Sequence, residues 1–315
     1  DPFYGGIMDA YRQPKLSYYM FCAQRPPYEN PELIAESGPM VYIAHAMTPF
    51  SPKDVTVYSN CDEVRLTCCQ GSTPYIYKKD KQAGGMPSPI IVFPNVWDVM
   101  HDKELARGGK HAESYLLAEG LIDGKVVATH RVSPARRPSR LLLWVDNEGM
   151  QMEANEGVET RADGSDVVTV VAAITDDQGN IKRLNNSMIR FEIEGPGELV
   201  ADEEDFTNPR AVQWGTAPIL VRALPESGEI RIKASLTLQG KHTPVSGELI
   251  LKTTEPMRPL IADKEELETL YLQSQTKKEN RLQTGDAASE EMRRLQQEQN
   301  RERLKEVEQQ QSDFE

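Results

Sequence analysis

The chain has 315 residues and a formal net charge of −13, with 38% hydrophobic and 27% charged residues. A nucleic-acid-binding surface is not expected in so acidic a chain, because such surfaces gain affinity from Lys and Arg that neutralise phosphates. No segment approaches the roughly 20 consecutive apolar residues of a membrane helix, and the first residues show neither a basic segment nor an apolar signal core. We therefore expect no nucleic-acid and no membrane partner. The chain begins at Asp1 without an initiator Met, and we expect it to be part of a longer protein.

The first 36 residues predict one helix. Pro14 suits a first helical turn, where its missing N–H costs nothing, and an apolar and aromatic run leads from it to Phe21. We expect residues 7–24 to be helical and the helix to end near Pro26 and Pro27. A lone helix of this length needs a surface on which to bury its aromatic side chains. We expect that surface to lie outside this chain, which would leave the helix amides open to rapid hydrogen exchange.

From Met40 onwards apolar residues alternate with polar ones, which is the pattern of half-buried antiparallel strands. The alternation at 55–57 and 64–68, with turn residues at 60–62 between them, predicts a first hairpin. A second hairpin is predicted where Asp123-Gly124 separates two apolar runs. Residues 71–113 show little periodicity and predict a long loop that carries Phe93 and Trp97.

A second block of alternating strands begins after Pro138. Strands are predicted at 140–145, 167–174, 189–193, 219–224, 230–238 and 248–252. Every second residue from 230 to 238, Leu238 included, is apolar and is expected to face inward. Short strands separated by turn signals are typical of an immunoglobulin-like sandwich. We therefore expect two such modules in series in the middle of the chain.

Residues 256–315 are rich in Glu, Gln, Lys and Arg and are helical by propensity. Short apolar stripes occur around Leu270 and Leu295, but residues 297–303 offer no apolar position for a seam. A sustained coiled coil needs three or four heptads. We expect a frayed, solvated helix or disorder here, with a dimerising coiled coil as the alternative.

The residues show no pattern for a metal, a cofactor or a catalytic nucleophile. The glycine pairs lack the helix of a phosphate loop, the five histidines have no partnering nucleophile nearby in sequence, and the acidic run at 202–205 is interpreted as a solvated loop rather than a calcium loop. The cysteines match no zinc-ligand spacing; they are Cys22, Cys61, Cys68 and Cys69. Neighbours on a strand point to opposite faces, so we do not expect Cys68 and Cys69 to serve one core-facing partner. We predict free thiols, with two disulfides as the alternative, and no catalytic residue, metal or cofactor in this chain.

The aromatic residues remain as candidates for sugar contacts. Phe3 and Tyr4 precede the Gly5-Gly6 turn, and Phe93 and Trp97 lie in the predicted loop. Aromatic faces can stack on the C–H faces of sugars, and the same residue types also serve as ordinary core or interface residues. Both interpretations stay open from the residues alone.

Three segments resemble glycoside hydrolase family 2. Residues 5–19 (GGIMDAYRQPKLSYY) resemble the end of the catalytic (β/α)8 barrel, where a G-[ILV]-x-D/T-x-x-R-x-P-K-x-x-Y/F run leads into the last helix. Residues 57–66 (VYSNCDEVRL) look like the hairpin that opens the first sandwich after that barrel, with Gln70-Gly71 in place of the usual Asn-Gly. Residues 163–170 and 190–199 resemble the C-terminal immunoglobulin-like domain of bacterial β-galactosidase-like members.

The resemblance implies a mainly β fold with two immunoglobulin-like antiparallel β-sandwiches in series. Residues 1–38 would be the C-terminal remnant of the barrel and contain its last helix. Residues 39–136 would form the first sandwich and residues 137–255 the second. The charged segment 256–315 lies outside the resemblance and would be a helical or disordered tail.

The resemblance also implies that the parent protein is a retaining glycosidase, which uses two carboxylates about 5 Å apart. In the family both glutamates come from earlier barrel strands, which implies that this chain is inactive on its own. Asp9 and Arg12 are interpreted as a structural pair near the start of the last helix, where a carboxylate favours the positive helix end.

The resemblance bears on the substrate as well. In the glucuronidases of the family an N-x-K motif stands directly before the Gly-Ile pair, and its Lys faces the sugar carboxylate. Phe3, Tyr4 and Gly5 occupy those positions here. This implies a neutral carbohydrate substrate, with galactose favoured, and makes Phe3 and Tyr4 the candidate substrate-binding residues.

The family resemblance also implies a periplasmic or extracellular location, and it leaves open whether the protein forms a homo-oligomer. A stand-alone carbohydrate-binding or adhesive sandwich array is the alternative to an enzyme part. Such an array has no reason to carry the R-x-P-K segment of a barrel end, and we therefore favour the enzyme part.

Overall fold

The computed structural model describes residues 6–30, 36–80, 85–146, 160–201, 207–240, 242–255, 269 and 271–273. Phe3, Tyr4, the acidic run at 202–205 and most of the predicted tail lie outside the described residues. Residues 1–255 form one compact unit and residues 256–315 a second one. No helix in the described ranges has the length and apolarity needed to cross a membrane.

A first β-sandwich follows the N-terminal segment. In the described part of the chain, a three-stranded sheet of order β1-β2-β5 faces a four-stranded sheet of order β4-β3-β6-β7, and all neighbours are antiparallel. Both sheets contribute to one buried apolar core, which includes Val57, Leu66 and Leu116. The strands are β1 (Val41–Ile43), β2 (Val55–Ser59), β3 (Glu63–Cys68), β4 (Tyr75–Lys78), β5 (Ile91–Phe93), β6 (Leu116–Ile122) and β7 (Lys125–Val132).

The two hairpins predicted for this sandwich have different outcomes. The Asp123-Gly124 hairpin is confirmed: β6 pairs with β7, and both turn residues have positive φ, at 50° and 76°, as a type I′ turn requires. The first hairpin is wrong, because β2 pairs with β1 and β5 whereas β3 pairs with β4 and β6. The predicted alternation holds in both β2 and β3, but the two strands belong to opposite sheets and bury their apolar faces in the same core.

The predicted loop at 71–113 is largely ordered structure. It contains β4, β5, a helix α2 (Val99–Arg107) and a 3₁₀ turn at His111–Glu113. Asp98 caps the N-terminus of helix α2: its carboxylate accepts a hydrogen bond from the backbone N–H of Met100 at 2.9 Å, as is typical of an N-cap. These elements are too short to give a visible period in the sequence.

The second β-sandwich contains all six predicted strands and three short additional ones. In the described residues one sheet has the order β12-β14-β10-β8 and the other β13-β11-β15-β16-β9. The pairing is antiparallel apart from β16 with β9, which is parallel. The strands are β8 (Arg140–Val145), β9 (Thr160–Arg161), β10 (Val167–Thr175), β11 (Met188–Glu194), β12 (Gly197–Leu199), β13 (Arg210–Ala211), β14 (Thr216–Ala223), β15 (Glu229–Leu236) and β16 (Gly247–Thr254).

The core of the second sandwich follows the predicted alternation, with one exception. Ile230 and Ile232 on β15 are fully buried and pack with Phe191 and Ile219. Leu238, expected to face inward, is 86% exposed. The reason is that β15 ends at Leu236, so the alternation loses its structural meaning beyond that residue.

The N-terminal segment is helical over a shorter range than predicted. Helix α1 (Leu16–Cys22) is preceded by a tight turn in which Met8 and Pro14 form an antiparallel bridge. The Asp9 carboxylate accepts hydrogen bonds from the backbone N–H groups of Tyr11 and Gln13 at 2.8 and 2.9 Å. The carboxylate therefore stabilises this turn, and the interpretation of Asp9 and Arg12 as a pair at the helix start is wrong. Pro14 suits the bridge because its position needs no further N–H donor.

Helix α1 also has a partner surface, contrary to the expectation from the sequence. Tyr18 is buried, and Ala23 after the last turn is almost fully buried. The helix packs on the first sandwich at β2. Phe21, on the other side, is 53% exposed. The helix is thus half covered, which predicts slower amide exchange than an unpartnered helix would show.

Candidate functional site

Residues 6–25, here called the junction segment, contact both sandwiches. Its turn faces the second one: Arg210 on β13 donates a hydrogen bond from Nη1 to the Tyr11 hydroxyl at 2.7 Å. The guanidinium carbon of Arg210 also lies 4.0 Å from the centre of the Tyr11 ring. Gln13 donates from Nε2 to Asp146 Oδ2 at 2.8 Å, directly after β8. Two independent contacts therefore attach the turn to the second sandwich.

The helical half of the junction segment is attached to the first sandwich by stacked rings. Tyr19 on α1 stacks on Tyr42 of β1 with ring centres 3.5 Å apart and planes at 7°. Tyr42 in turn stacks on His130 of β7, with a centre distance of 4.5 Å. His130 Nδ1 accepts the backbone N–H of Ile43 at 2.9 Å. Burial lowers the pKa of His130, so its ring is neutral and able to accept at Nδ1 at neutral pH.

Two polar side chains close the end of the junction segment. Gln24 exchanges two hydrogen bonds with the backbone of Ser88: its Nε2 donates to the Ser88 carbonyl at 2.8 Å, and its Oε1 accepts the Ser88 N–H at 3.0 Å. Asn60, at the crossing between β2 and β3, donates to the carbonyls of Arg25 and Gly38 and accepts the N–H of Met40 at 2.7 Å. The crossing residue of the first sandwich thus also holds the end of the segment in place.

The structure tests the sugar-contact interpretation for only some of the candidate aromatic residues. Phe3 and Tyr4 precede Gly6, the first described residue, so their role stays a prediction. Phe93 and Trp97 are 5% and 3% exposed and belong to the core of the first sandwich. Of the two interpretations left open for Phe93 and Trp97, the structure supports the core one, because a buried ring cannot stack on a sugar.

A cleft of about 970 Å³ lies where the chain passes from β7 to β8, and we call it the arginine cleft. Its lining includes residues of both sandwiches. Its walls carry the guanidinium groups of Arg131, Arg136 and Arg137, the imidazoles of His111 and His242, and one carboxylate, that of Asp177. In a chain with a net charge of −13, this is a local concentration of positive charge that can attract an anion.

Arg136 at the base of the cleft is held by buried acidic groups. Its guanidinium contacts both carboxylate oxygens of Asp102 on α2, at 2.6 and 3.1 Å, and Asp102 also accepts from Ser114 Oγ at 2.8 Å. The backbone N–H of Arg136 donates to Asp176 Oδ2 at 2.9 Å. Burial opposes the ionisation of Asp176, but hydrogen bonds from Arg136, Asn180 and Gln178 outweigh it and lower the pKa of this carboxyl.

The remaining basic side chains of the cleft are more accessible. Arg137, His111 and His242 are exposed, and Arg131 lies 4.1 Å above the Tyr115 ring. The buried hydroxyl of Ser139, which also lines the cleft, finds no hydrogen-bond partner among the described residues. Chemically, the arrangement offers several donors to a carboxylate or sulfate group. Sequence reasoning missed it, because its residues are spread from 109 to 243 and only the Arg136-Arg137 pair stands out locally.

A metal centre finds no support in the described residues, where no group of three or more His, Cys, Asp or Glu side chains is placed to hold an ion.

Comparison with known proteins shows which proteins this chain is similar to. Residues 150–242 match the model of the glycoside hydrolase family 2 C-terminal domain 5. The chain is 29% identical over 241 residues to a β-galactosidase of Thermoanaerobacter pseudethanolicus, an alignment that covers 73% of this chain and 28% of that protein. It is 27% identical over 270 residues to a β-glucuronidase of Formosa agariphila, with 80% of this chain and 23% of that protein covered. The chain thus spans about a quarter of the length of these curated relatives.

Solved structures show the same fold. A β-glycosidase from Bacteroides vulgatus superposes with a TM-score of 0.55 at 19% identity, over 79% of this chain and 28% of that one. A β-glucuronidase from glycoside hydrolase family 2 superposes with a TM-score of 0.54 at 21% identity, over 81% of this chain and 23% of that one. The domain matched by residues 150–242 and the curated relatives make this chain similar to the C-terminal β-sandwich part of glycoside hydrolase family 2 proteins.

Proposed function

We propose that this chain is the C-terminal accessory part of a retaining family 2 β-galactosidase that acts on neutral glycans, and that it is inactive by itself. The observation that carries the proposal is the junction segment. Its sequence resembles the end of the family's catalytic barrel, and its side chains bind both sandwiches through Tyr11, Gln13, Tyr19 and Gln24.

In this proposal the sandwiches brace the catalytic domain. A barrel continuing upstream of residue 6 would be attached to the first sandwich by the Tyr19–Tyr42 stack and to the second by the Tyr11–Arg210 contact. Attachment to both sandwiches restricts rotation of the barrel more than attachment to one sandwich would. The outer subsites of the barrel would therefore keep a defined position relative to the sandwiches. The exposed ring of Phe21 is available for contact with the barrel.

The chemistry itself would lie in the barrel. A retaining glycosidase places a nucleophilic carboxylate and an acid/base carboxylate about 5 Å apart and passes through a covalent glycosyl-enzyme intermediate. The resemblance assigns both glutamates to barrel strands upstream of Asp1. The role proposed for this chain is therefore positioning and support.

The sugar preference rests on residues 3–5. The relatives include proteins named β-galactosidase and one named β-glucuronidase. Phe3, Tyr4 and Gly5 stand where the family's glucuronidases carry N-x-K, so no cation is available there to pair with a uronate. We assign Phe3 and Tyr4 to the pocket wall near the sugar C6, and the parent protein to the periplasm or the exterior of the cell.

Hydrolysis assays test the proposal directly. Nitrophenyl β-galactoside, β-glucuronide, β-glucoside and β-mannoside are offered to this chain and to the full-length product of its reading frame. We expect activity on the galactoside from the full-length protein alone. Activity mainly on the glucuronide would contradict the sugar assignment, and silence on all four would contradict the enzyme assignment. Replacing Phe3 and Tyr4 by Ala in the full-length protein should lower kcat/KM by more than about twofold, or about 0.4 kcal/mol.

The arginine cleft favours a second candidate function, a carbohydrate-binding module without its own catalysis. Its exposed Arg137, His111 and His242 would suit a glycan that carries carboxylate or sulfate groups. If this second function is right, the full-length protein shows no hydrolysis, and this chain is retained on the acidic glycans of a glycan array. Arg137→Ala should then weaken retention several-fold, with Arg190→Ala, on β11 away from the residues lining the cleft, as the control.

A further inference from the structure

Two adjacent cysteines at the end of β3 bring their sulfurs together. Cys68 is the last residue of the strand, and its Sγ lies 3.6 Å from Sγ of Cys69. Consecutive side chains on a regular strand point to opposite faces. Cys69 has a φ of 66°, in the left-handed region, so the chain leaves the strand geometry there and both thiols lie on one side. The assumption behind the sequence-based expectation, that the two side chains point to opposite faces, therefore does not hold here; the space they share is an open cavity and not the core.

The pair borders an open cavity of about 670 Å³ formed by residues 68–75, Val96 and His101. Cys69 is 8% exposed and Cys68 is half-buried. The loop beyond them is held by backbone hydrogen bonds, from Cys69 N to the Tyr115 carbonyl at 2.8 Å and from Gln70 N to the Glu113 carbonyl at 2.9 Å. The two sulfurs are thus fixed at the wall of a space that a small molecule can enter.

The pKa values of the two thiols shift in opposite directions. The hydrogen bond between the two thiols lowers the pKa of Cys69, burial opposes this, and the nearby His101 assists it, whereas Asp102 acts in the opposite direction. The same hydrogen bond, together with burial, raises the pKa of Cys68. The thiolate form is the nucleophile and the ligand for soft elements, so the pair presents one reactive sulfur with a second beside it. Cys61, in contrast, is buried and its pKa is raised by desolvation.

The spacing suits one bridging atom better than a direct S–S bond. Consecutive Cα atoms are about 3.8 Å apart, less than the roughly 4.4 Å at which unstrained disulfides begin. Two sulfurs bound at about 2.3 Å to one bridging atom lie roughly 3.3 to 3.8 Å apart for bond angles from about 90° to 110°, a range that includes the 3.6 Å found here. No further protein ligand is grouped with them among the described residues. The bridging group must therefore bring its remaining substituents with it.

We propose that Cys68 and Cys69 form a dithiol site that captures trivalent organoarsenicals. These thiophilic compounds can form one bond to each of the two sulfurs. With phenylarsine oxide, two S–As bonds form, the As=O bond breaks, and the two thiol protons leave with its oxygen as one water. No electrons are gained or lost, so no oxidant or reductant is needed. The ring that closes contains the arsenic, both sulfurs and the peptide between the cysteines.

The test uses the whole chain, with its other two cysteines as internal controls. We expect one equivalent of phenylarsine oxide to add a mass equal to the reagent minus one water. Excess monothiol should leave the adduct intact, while 2,3-dimercaptopropanol should remove it. The variant with Cys22→Ser and Cys61→Ser should bind as the wild type does. Cys68→Ser and Cys69→Ser should each bind about 100-fold more weakly, because the second sulfur–arsenic bond can then no longer form within the same protein molecule.

A measurement on the unaltered protein covers the case in which a variant fails to fold. The arsenical is added first and iodoacetamide second, and peptide mapping then locates the alkylated residues. We expect protection of Cys68 and Cys69 together and none of Cys22. Alkylation of Cys68 or Cys69 at the rate seen without arsenical, or an adduct that survives in the Cys68→Ser variant, would overturn the proposal.

Discussion

Arg210 binds Tyr11 in two ways at once, with its guanidinium carbon 4.0 Å from the ring centre and its Nη1 donating to the hydroxyl at 2.7 Å. The two residues are 199 positions apart in sequence. The contact therefore attaches the turn of the junction segment to the second sandwich, while α1 a few residues later is attached to the first. A short N-terminal segment thus contributes to the arrangement of both sandwiches.

The two parts of this contact can be separated by substitution. Tyr11→Phe removes the hydrogen bond and keeps the ring, and we expect the free energy of unfolding to fall by about 1 kcal/mol. Arg210→Ala removes both parts and should cost about 2 kcal/mol. Urea unfolding followed by circular dichroism measures both. Tyr28→Phe is the matched control, since Tyr28 is 65% exposed, and it should change the stability by less than about 0.5 kcal/mol.

The ion pair between Asp102 and Arg136 should be important for stability. The Asp102 carboxylate is buried and Arg136 is half-buried, so Asp102→Asn leaves a poorly solvated guanidinium without its counter-charge. We expect a loss of about 3 kcal/mol in the free energy of unfolding. Glu113→Gln, which removes the more exposed ion pair with Lys110, should cost less than about 1 kcal/mol. Equal losses in both variants would contradict the role given to burial.

Gly120 on β6 faces Cys61 at close range. A Cβ at Gly120 would lie 2.6 Å from Cys61 Sγ and 3.4 Å from Val41 Cβ. We expect Gly120→Ala to destabilise the protein by about 1–3 kcal/mol through overpacking. Adding Cys61→Ala vacates the space of the sulfur, so the double variant should be more stable than Gly120→Ala alone, with a coupling of at least about 1 kcal/mol.

The control for this pair is Gly240→Ala, where the nearest atom to an added Cβ lies 3.9 Å away. It should be close to neutral. Simple additivity of Gly120→Ala and Cys61→Ala in thermal or urea unfolding would show that the sulfur is not what the new methyl group meets.

Two buried histidines predict a pH dependence of stability. Burial lowers the pKa values of His45 and His130, and the hydrogen bond from His45 to the Pro52 carbonyl only partly offsets this for His45. Below a pH of about 6.5 the unfolded chain therefore binds more protons than the folded one, so stability falls as the pH drops from about 7.5 to 5.5. Each residue contributes a slope of up to about 1.4 kcal/mol per pH unit.

Urea midpoints measured across this pH range test that expectation. His45→Asn with His130→Asn should flatten the slope, because Asn cannot take up the proton and its amide oxygen can replace Nδ1 as an acceptor. His242→Asn, on an exposed residue, should leave the slope unchanged. A wild-type slope of zero or of opposite sign would rule out a role for the buried rings.

Local patterns predicted much of the second sandwich. Alternation in β15 places Ile230 and Ile232 in the core, and in the first sandwich Asp123-Gly124 forms the expected turn. Both predictions succeed because the face of a strand to which a side chain points, and a positive φ in a turn, depend on neighbouring residues. The same reasoning failed at Leu238, where the alternating pattern continues past the end of the strand. For the candidate sites, the sequence indicated the segment around Tyr11 through its family resemblance but not the contacts it makes.

By itself, then, the sequence determined the β class, most strands and the resemblance to a barrel end, since each of these follows from the pattern of consecutive residues. Only the tertiary structure decided which sheet each strand joins, and so separated β2 from β3 and buried Trp97. It also decided the Tyr11–Arg210 contact, the arginine cleft and the approach of Cys69 to Cys68. The physical reason is that these features depend on contacts between segments distant in sequence or, for the cysteine pair, on a backbone turn away from the strand geometry that alternation assumes.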